Sequence, residues 1–283
     1  MLSVTPRAEV RKHAVRSFLR WAGSKRRLGD ELAAYWPASV SRYVEPFGGS
    51  ACLFFHLEPA RALISDLNAE LIAMYQALQL DTELVLESFR RLRRGKKAYY
   101  AVRKCDPMSL CSVEAAARFL YLNRYCFNGL FRTNQRGTFN VPYGPPKKTL
   151  KAFEDRVRAA ATLLRNAELR SCDFGDVLRD VRRGDFVYLD PPYAVSERRK
   201  IFSDYLPDSF SAKDIARLSD GLDHIDRSGA SFLLSYSNSP EVSDFKQRWT
   251  VRTISSRRNI AGFVGARKIT SEILITNMRR ERK

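Results

Sequence analysis

Five short apolar runs, each closing on a polar or turn-forming residue, set the architecture of this chain. They are Tyr43-Val44-Glu45, Ala62 to Asp66, Phe186 to Asp190, Phe232 to Tyr236 and Ile273 to Thr276. Runs of this length bounded by turn chemistry read as buried strands. Between them lie segments of helical spacing, with Leu67, Leu71, Met74, Tyr75 and Leu78 in one and Ile215, Leu218 and Leu222 in another. Strands alternating with helices predict an α/β fold built on a doubly wound, mostly parallel sheet. In such sheets ligands bind outside the carboxyl ends of the strands. Here those ends read Glu45-Pro46-Phe47-Gly48-Gly49, Asp66, Asp190-Pro191-Pro192-Tyr193 and Ser235-Tyr236-Ser237-Asn238.

The alternation stops between about residues 76 and 155, where helical or loop-like, Arg-rich sequence replaces the strand-like runs. This predicts a discontinuous main domain, residues 15–75 and 156–283, carrying an inserted domain at 76–155. Within the insertion, Glu114 to Tyr125 has helical spacing, and Asn128-Gly129 and Thr133-Asn134-Gln135-Arg136-Gly137 are rich in turn-formers. A helix delivering a basic hairpin or loop is the expectation. Composition matters here: 49 Lys and Arg against 31 Asp and Glu give a net charge of +18, and residues 82–150 alone hold 14 against 4. More than half of the excess therefore sits in a quarter of the chain, which points to a polyanionic partner. A merely solvated basic surface would carry the same signature.

Other classes are disfavoured. Cys52, Cys105, Cys111, Cys126 and Cys172 form no CxxC pair, and His13, His56 and His224 are scattered, so neither a zinc site nor a redox motif is expected. The N-terminus lacks a signal-peptide apolar region, and no uncharged apolar run approaches the roughly 18 to 20 residues of a membrane span. A soluble, cytoplasmic protein with reduced thiols is the expectation, its oligomeric state left open with a monomer included.

Two strand ends carry chemistry. Pro46-Phe47-Gly48-Gly49-Ser50 is what an ordinary tight turn after a strand also looks like. What points further is Asp66, 21 residues after Glu45 and at the end of the next strand. Glycines let a cofactor approach the backbone, and a carboxylate on the second strand can accept hydrogen bonds from two ribose hydroxyls. The turn is not GxGxxG, which favours a nucleoside cofactor without phosphates over a dinucleotide. In Asp190-Pro191-Pro192-Tyr193, two prolines lock the backbone just after an apolar strand and fix a carboxylate beside an aromatic ring. The lone pair of an adenine amino group is delocalised into the ring, so an acceptor for its N–H protons localises that pair as attack begins. Asp190 suits that role, with the Pro191 carbonyl as second acceptor and Tyr193 as a stacking face for an extruded purine.

With these motifs in this order, the sequence resembles the Dam-like (D12 class) family of N6-adenine DNA methyltransferases from about residue 17 to residue 277. The likeness rests on Phe18-Leu19-Arg20-Trp21-Ala22-Gly23-Ser24-Lys25, the Glu45 to Ala51 turn, Asp66-Leu67-Asn68, Tyr121 to Arg132, Phe139 to Gly144, Asp190 to Tyr193, and Ser271 to Asn277. The resemblance implies a Rossmann-like catalytic domain that binds S-adenosylmethionine and a helical DNA-recognition insertion. It implies that Trp21 and Lys25 line the cofactor and active-site region, that Glu45, Phe47 and Gly48 surround the methionine and adenosine moieties, and that Asp66 holds the ribose. Asp173 and Phe174 match a pair that contacts the cofactor's adenine. Double-stranded DNA is the implied partner, with Phe127 wedging between bases, Asn128, Leu130, Arg132 and Pro142 near base edges or the groove floor, and Arg20 touching a recognised base.

Three residues depart from the family pattern. Pro145-Pro146 stand where members specific for GATC commonly place Arg or Lys after the glycine, and Ser24 replaces a common glycine. GATC is thus the leading target, with one base contact in question. Adenine in structured RNA and the N4 amino group of cytosine are the competing substrates, although the cytosine enzymes more often begin the motif with Ser. A sequence-specific binding protein without catalysis is the competing class, for which erosion of the motifs is expected and is not seen.

Overall fold

The computed structural model describes residues 15–134, 137–146, 149–193, 210–257 and 269–278. Seven strands, β1 (Arg42–Glu45), β2 (Ala62–Asp66), β3 (Ala167–Ser171), β4 (Asp185–Leu189), β5 (Ser231–Ser237), β6 (Thr250–Arg257) and β7 (Ile269–Thr276), form one sheet in the order β3-β2-β1-β4-β5-β7-β6. The pairs β2 with β3, β1 with β4 and β4 with β5 run parallel, and β7 runs antiparallel to both β5 and β6. This is the mostly parallel α/β sheet that the alternation predicts. The five apolar runs all form strands, and two further strands carry no such run. β3 alternates buried Ala167 and Leu169 with exposed Glu168, as an edge strand half in water does. β6 separates Val251 and Ile254 by Arg252 and Thr253, so no apolar run marks it.

Helices fill the connections: α1 (Gly29–Ala33), α2 (Cys52–Leu57), α3 (Ala69–Leu80), α4 (Thr82–Arg91), α5 (Lys96–Lys104), α6 (Ser112–Tyr125), α7 (Leu150–Leu164), α8 (Phe174–Arg179), α9 (Ala212–Arg227) and α10 (Ser243–Arg248). Their starts follow from local chemistry. The Asn68 side chain accepts from the Leu71 N–H at 3.0 Å and caps α3, and Ser211 and Asp214 form a reciprocal capping box at α9. Leu71, Met74, Tyr75 and Leu78 are buried as their spacing predicts. Leu67 leaves that pattern: it precedes the cap, outside the helix, and is 65% exposed. Ile215, Leu218 and Leu222 form the buried face of α9.

Among the described residues the chain divides into two compact units, one of residues 35–47 and 173 onward, the other of residues 15–34 and 48–172. The first contains β1, β4, β5, β6 and β7. Its β1–β4 pair is pinned by buried Asp185, which takes the Arg42 guanidinium at 2.7 Å and the Arg182 N–H at 2.9 Å. The second contains β2, β3 and α1 through α7. Its centre is α6, buried along most of its length and packed against α3 and α4. Arg118 of α6 is 3% exposed and spends its guanidinium on Glu70 and on the carbonyls of Val102 and Arg103. A charge so buried is tolerable only with its donors used, and this one ties α3, α5 and α6 together.

Candidate active site

At the end of β2, Asp66 is fixed by main-chain donors. Its Oδ2 accepts the Gly49 N–H at 2.8 Å and its Oδ1 the Asn68 N–H at 2.9 Å. Each carboxylate oxygen can accept two hydrogen bonds, so a carboxylate held this way keeps acceptor capacity for further hydroxyl donors. Burial pushes the Asp66 carboxyl above its ordinary pKa, against the pull of those two N–H groups. The turn that supplies Gly49 lies hard against β2. The Gly48 N–H donates to the Ser65 carbonyl at 2.7 Å, and a Cβ on Gly48 would stand 2.7 Å from the Ile64 Cγ2 and 3.0 Å from the Ser65 oxygen. Only glycine fits that approach. From α3, the buried Tyr75 hydroxyl donates to the Gly49 carbonyl at 2.9 Å and pins the turn from the other side.

Trp21 reaches the same turn: a Cβ built on Gly49 would meet its Nε1 at 3.0 Å. Its ring stacks with Phe131 at 5.5 Å and Phe119 at 6.4 Å between centroids. Lys25 is buried, its Nζ donating to the Gly23 carbonyl at 3.4 Å. The structure therefore brings Trp21, Gly49 and Asp66 together, with Tyr75 as a partner the sequence offers only as a helix-face residue.

At the end of β4, Asp190 stands one residue past the Leu189–Leu234 register pair, partly buried, followed by buried Pro191 and exposed Pro192. Tyr193 donates its hydroxyl to Oε1 of Glu272 at 3.1 Å. Its ring lies perpendicular to that of Tyr236, with centroids 5.1 Å apart. Glu45, at the end of β1, is buried and accepts the Tyr43 hydroxyl at 3.0 Å.

Phe47 and Phe174 face each other at 5.1 Å, and Phe210 completes the aromatic group at 6.0 and 5.9 Å. Asp173 caps α8 by accepting the Gly175 N–H at 2.8 Å and pairs with Arg217 of α9, whose guanidinium lies 4.6 Å over the Phe174 ring. The Asp173-Phe174 pair is thus set by a residue more than forty positions away that no motif marks.

The hairpin residues lie together in the other unit. Phe127 N–H donates to the Pro142 carbonyl at 2.8 Å and Asn140 N–H to the Arg132 carbonyl at 3.0 Å, with antiparallel bridges between Cys126 and Tyr143 and between Thr133 and Phe139. Gln135 and Arg136, of the expected turn, lie outside the described residues. Phe127 is 45% exposed for all its size, and Asn128, Arg132 and Pro142 are exposed while Leu130 is partly covered. Asn140 Oδ1 holds Arg132 Nε at 2.8 Å. Arg20 is tied to α6 through both backbone groups, its N–H to Asn123 Oδ1 at 3.0 Å and its carbonyl from Asn123 Nδ2 at 2.7 Å. Gly129, at φ +65°, leaves room for Arg20, whose Cβ would lie 2.1 Å from a Cβ placed there. Among the described residues, no group of three or more His, Cys, Asp or Glu is arranged to hold a metal ion. No helix among them is long and apolar enough to cross a membrane.

The family model described as D12 class N6 adenine-specific DNA methyltransferase matches residues 21–260. The type II methyltransferase M1.LlaDCHI of Lactococcus lactis subsp. cremoris is 32% identical over 271 residues, covering 93% of this chain and 95% of that protein. The type II methyltransferase M.MjaIII of Methanocaldococcus jannaschii is 32% identical over 249 residues, covering 79% and 84%. The DNA adenine methylase of Escherichia coli K12 is 31% identical over 263 residues, covering 92% and 94%. The chain belongs to the D12 class of N6 adenine-specific DNA methyltransferases.

Proposed function

We propose that this enzyme methylates N6 of an adenine turned out of a DNA duplex, using S-adenosylmethionine, at a short specific site for which GATC is the first sequence to test. The observation that carries the reading is the β4 end, where two prolines fix Asp190 and the Tyr193 ring is held by Glu272 and Tyr236. Asp190 and the Pro191 carbonyl accept the two protons of the adenine amino group, which localises its lone pair as attack begins. Because the Tyr193 hydroxyl is engaged by Glu272, the tyrosine offers its ring for stacking rather than its O–H for proton transfer.

The donor set suits the cofactor. Asp66 presents a rigid carboxylate to the ribose hydroxyls beside Gly48, whose bare backbone admits close approach. Phe47 and Phe174 offer aromatic surface for the adenine ring, Asp173 lies beside them, and Glu45, Trp21 and Lys25 complete the residues assigned to the methionine and active-site region. When bound, S-adenosylmethionine supplies an electrophilic methyl group, so that the chain's own task is alignment. Residues 76–155 serve as the target-recognition domain of the catalytic domain formed by 15–75 and 156–283. The exposed Phe127 wedges into the stack, Asn128, Leu130, Arg132 and Pro142 meet the groove, and Arg20 contacts a base from its anchor on α6.

Expression in a host without adenine methylation, followed by methylation-aware sequencing of its genome, reports base and site together. N6-methyladenine confined to one short sequence is the expected result. N4-methylcytosine, or a genome left unmodified by a folded and DNA-binding protein, would overturn the reading.

A further inference from the structure

Glu272 belongs to none of the residues assigned to the cofactor, the adenine or the DNA, yet it is the residue that takes the Tyr193 hydroxyl. It is 3% exposed, on β7, opposite Ser237 of β5. A carboxylate costs free energy to bury unless hydrogen bonds answer it, and at Oε1 the Tyr193 hydroxyl supplies one at 3.1 Å. The second contact comes from a neighbouring register position. Tyr236 is paired with Ile273 and Glu272 with Ser237, so the two side chains leave opposite faces of the sheet. Both nevertheless meet Tyr193. The ring is therefore held across the carboxyl end of β5, by a hydrogen bond at its tip and by an edge contact with Tyr236. Two proline-fixed torsions upstream set where the Tyr193 backbone points, but they leave the side-chain torsions of Tyr193 undetermined, and the Glu272 bond removes that freedom.

We infer that Glu272 is a positioning residue for methyl transfer, acting through the Tyr193 hydroxyl to hold the ring in the plane on which the target adenine stacks. This rests on the stacking role proposed for Tyr193. It also gives the antiparallel β7 strand a task in the reaction beyond joining β6 to the sheet, since a parallel strand at that place would present its carboxyl end rather than its amino-terminal half, with Glu272, to the Asp190–Tyr193 segment.

The test is a double-mutant cycle on the full chain, with labelled methyl transfer to unmethylated plasmid DNA resolved into kcat and KM, and thermal melting as a check on folding. Tyr193→Ala first tests the stacking role: a loss of about a hundredfold in kcat is expected, and wild-type turnover would remove that role and its dependent inference together. Tyr193→Phe, which keeps the ring and deletes the hydrogen bond, is expected to lower kcat about tenfold with KM for the cofactor unchanged. Glu272→Leu is expected to match it, and to cost nothing further when combined with Tyr193→Phe. Glu272→Gln, which keeps an acceptor, is expected to restore turnover to within about threefold of wild type. If Tyr193→Ala is crippled while Tyr193→Phe turns over normally, the stacking role stands and the positioning role is lost. Losses from Glu272→Leu that are equal in the wild-type and Tyr193→Phe backgrounds would likewise reduce Glu272 to a packing residue.

Discussion

The ends of β2 and β4 each carry one carboxylate, and they hold it by different means. At β2 the work is done by main chain: Gly49 and Asn68 N–H groups grip Asp66, and the turn is itself pressed onto the Ser65 carbonyl. At β4 the main chain is fixed by two prolines, and the aromatic partner is held by side chains from β5 and β7, the hydrogen bond spanning 79 residues of sequence. The first arrangement suits a cofactor that must be bound in the same pose every cycle. The second sets Asp190 on a strand end stiffened by proline, three residues from a ring held in place, an arrangement suited to meeting a planar substrate.

If the division is right, breaking the β4 end has the largest effect on turnover. Asp190→Ala is expected to lower methyl transfer about a hundredfold or more, with folding preserved, since Asp190 lies beyond the strand. Transfer within tenfold of wild type would remove it from the chemistry. A smaller effect sharpens the other half. Gly48→Ala places a methyl 2.7 Å from Ile64 and 3.0 Å from a backbone oxygen that cannot swing away. Such overpacking costs about 1–3 kcal/mol, read as a lower denaturation midpoint with weaker cofactor binding. An unchanged midpoint would show that the turn yields and that its fit to β2 is not what holds Asp66.

The same contrast explains what the sequence discloses. Asp66, Gly48 and Gly49 are legible because the contacts among β2 and its two flanking turns span at most 17 residues and the backbone geometry demands particular residue types. Asp190 through Tyr193 are legible as a motif, but the grip on Tyr193 is not. Glu272 stands just before the apolar run Ile273 to Thr276, and only the antiparallel register of β7 against β5 brings it to Tyr193. Arg217 is hidden for the same reason, as a charge on the outer side of an amphipathic helix until its contact with Asp173 and Phe174 appears. Strands β3 and β6 escape a reading for apolar runs because edge position lets polar residues occupy them.

The division of labour between the two strand ends is tested most directly by calorimetric titration of S-adenosylmethionine into Asp66→Ala and Asp190→Ala, side by side with wild type. Hydrogen bonds to a charged group contribute roughly 1.5 to 3 kcal/mol each, so Asp66→Ala is expected to weaken binding at least about tenfold. Asp190→Ala is expected to bind within about twofold of wild type while failing to transfer. Equal losses of affinity in both variants would contradict the account, since the two carboxylates would then share one role, and unchanged affinity in Asp66→Ala would take the β2 end out of the cofactor site.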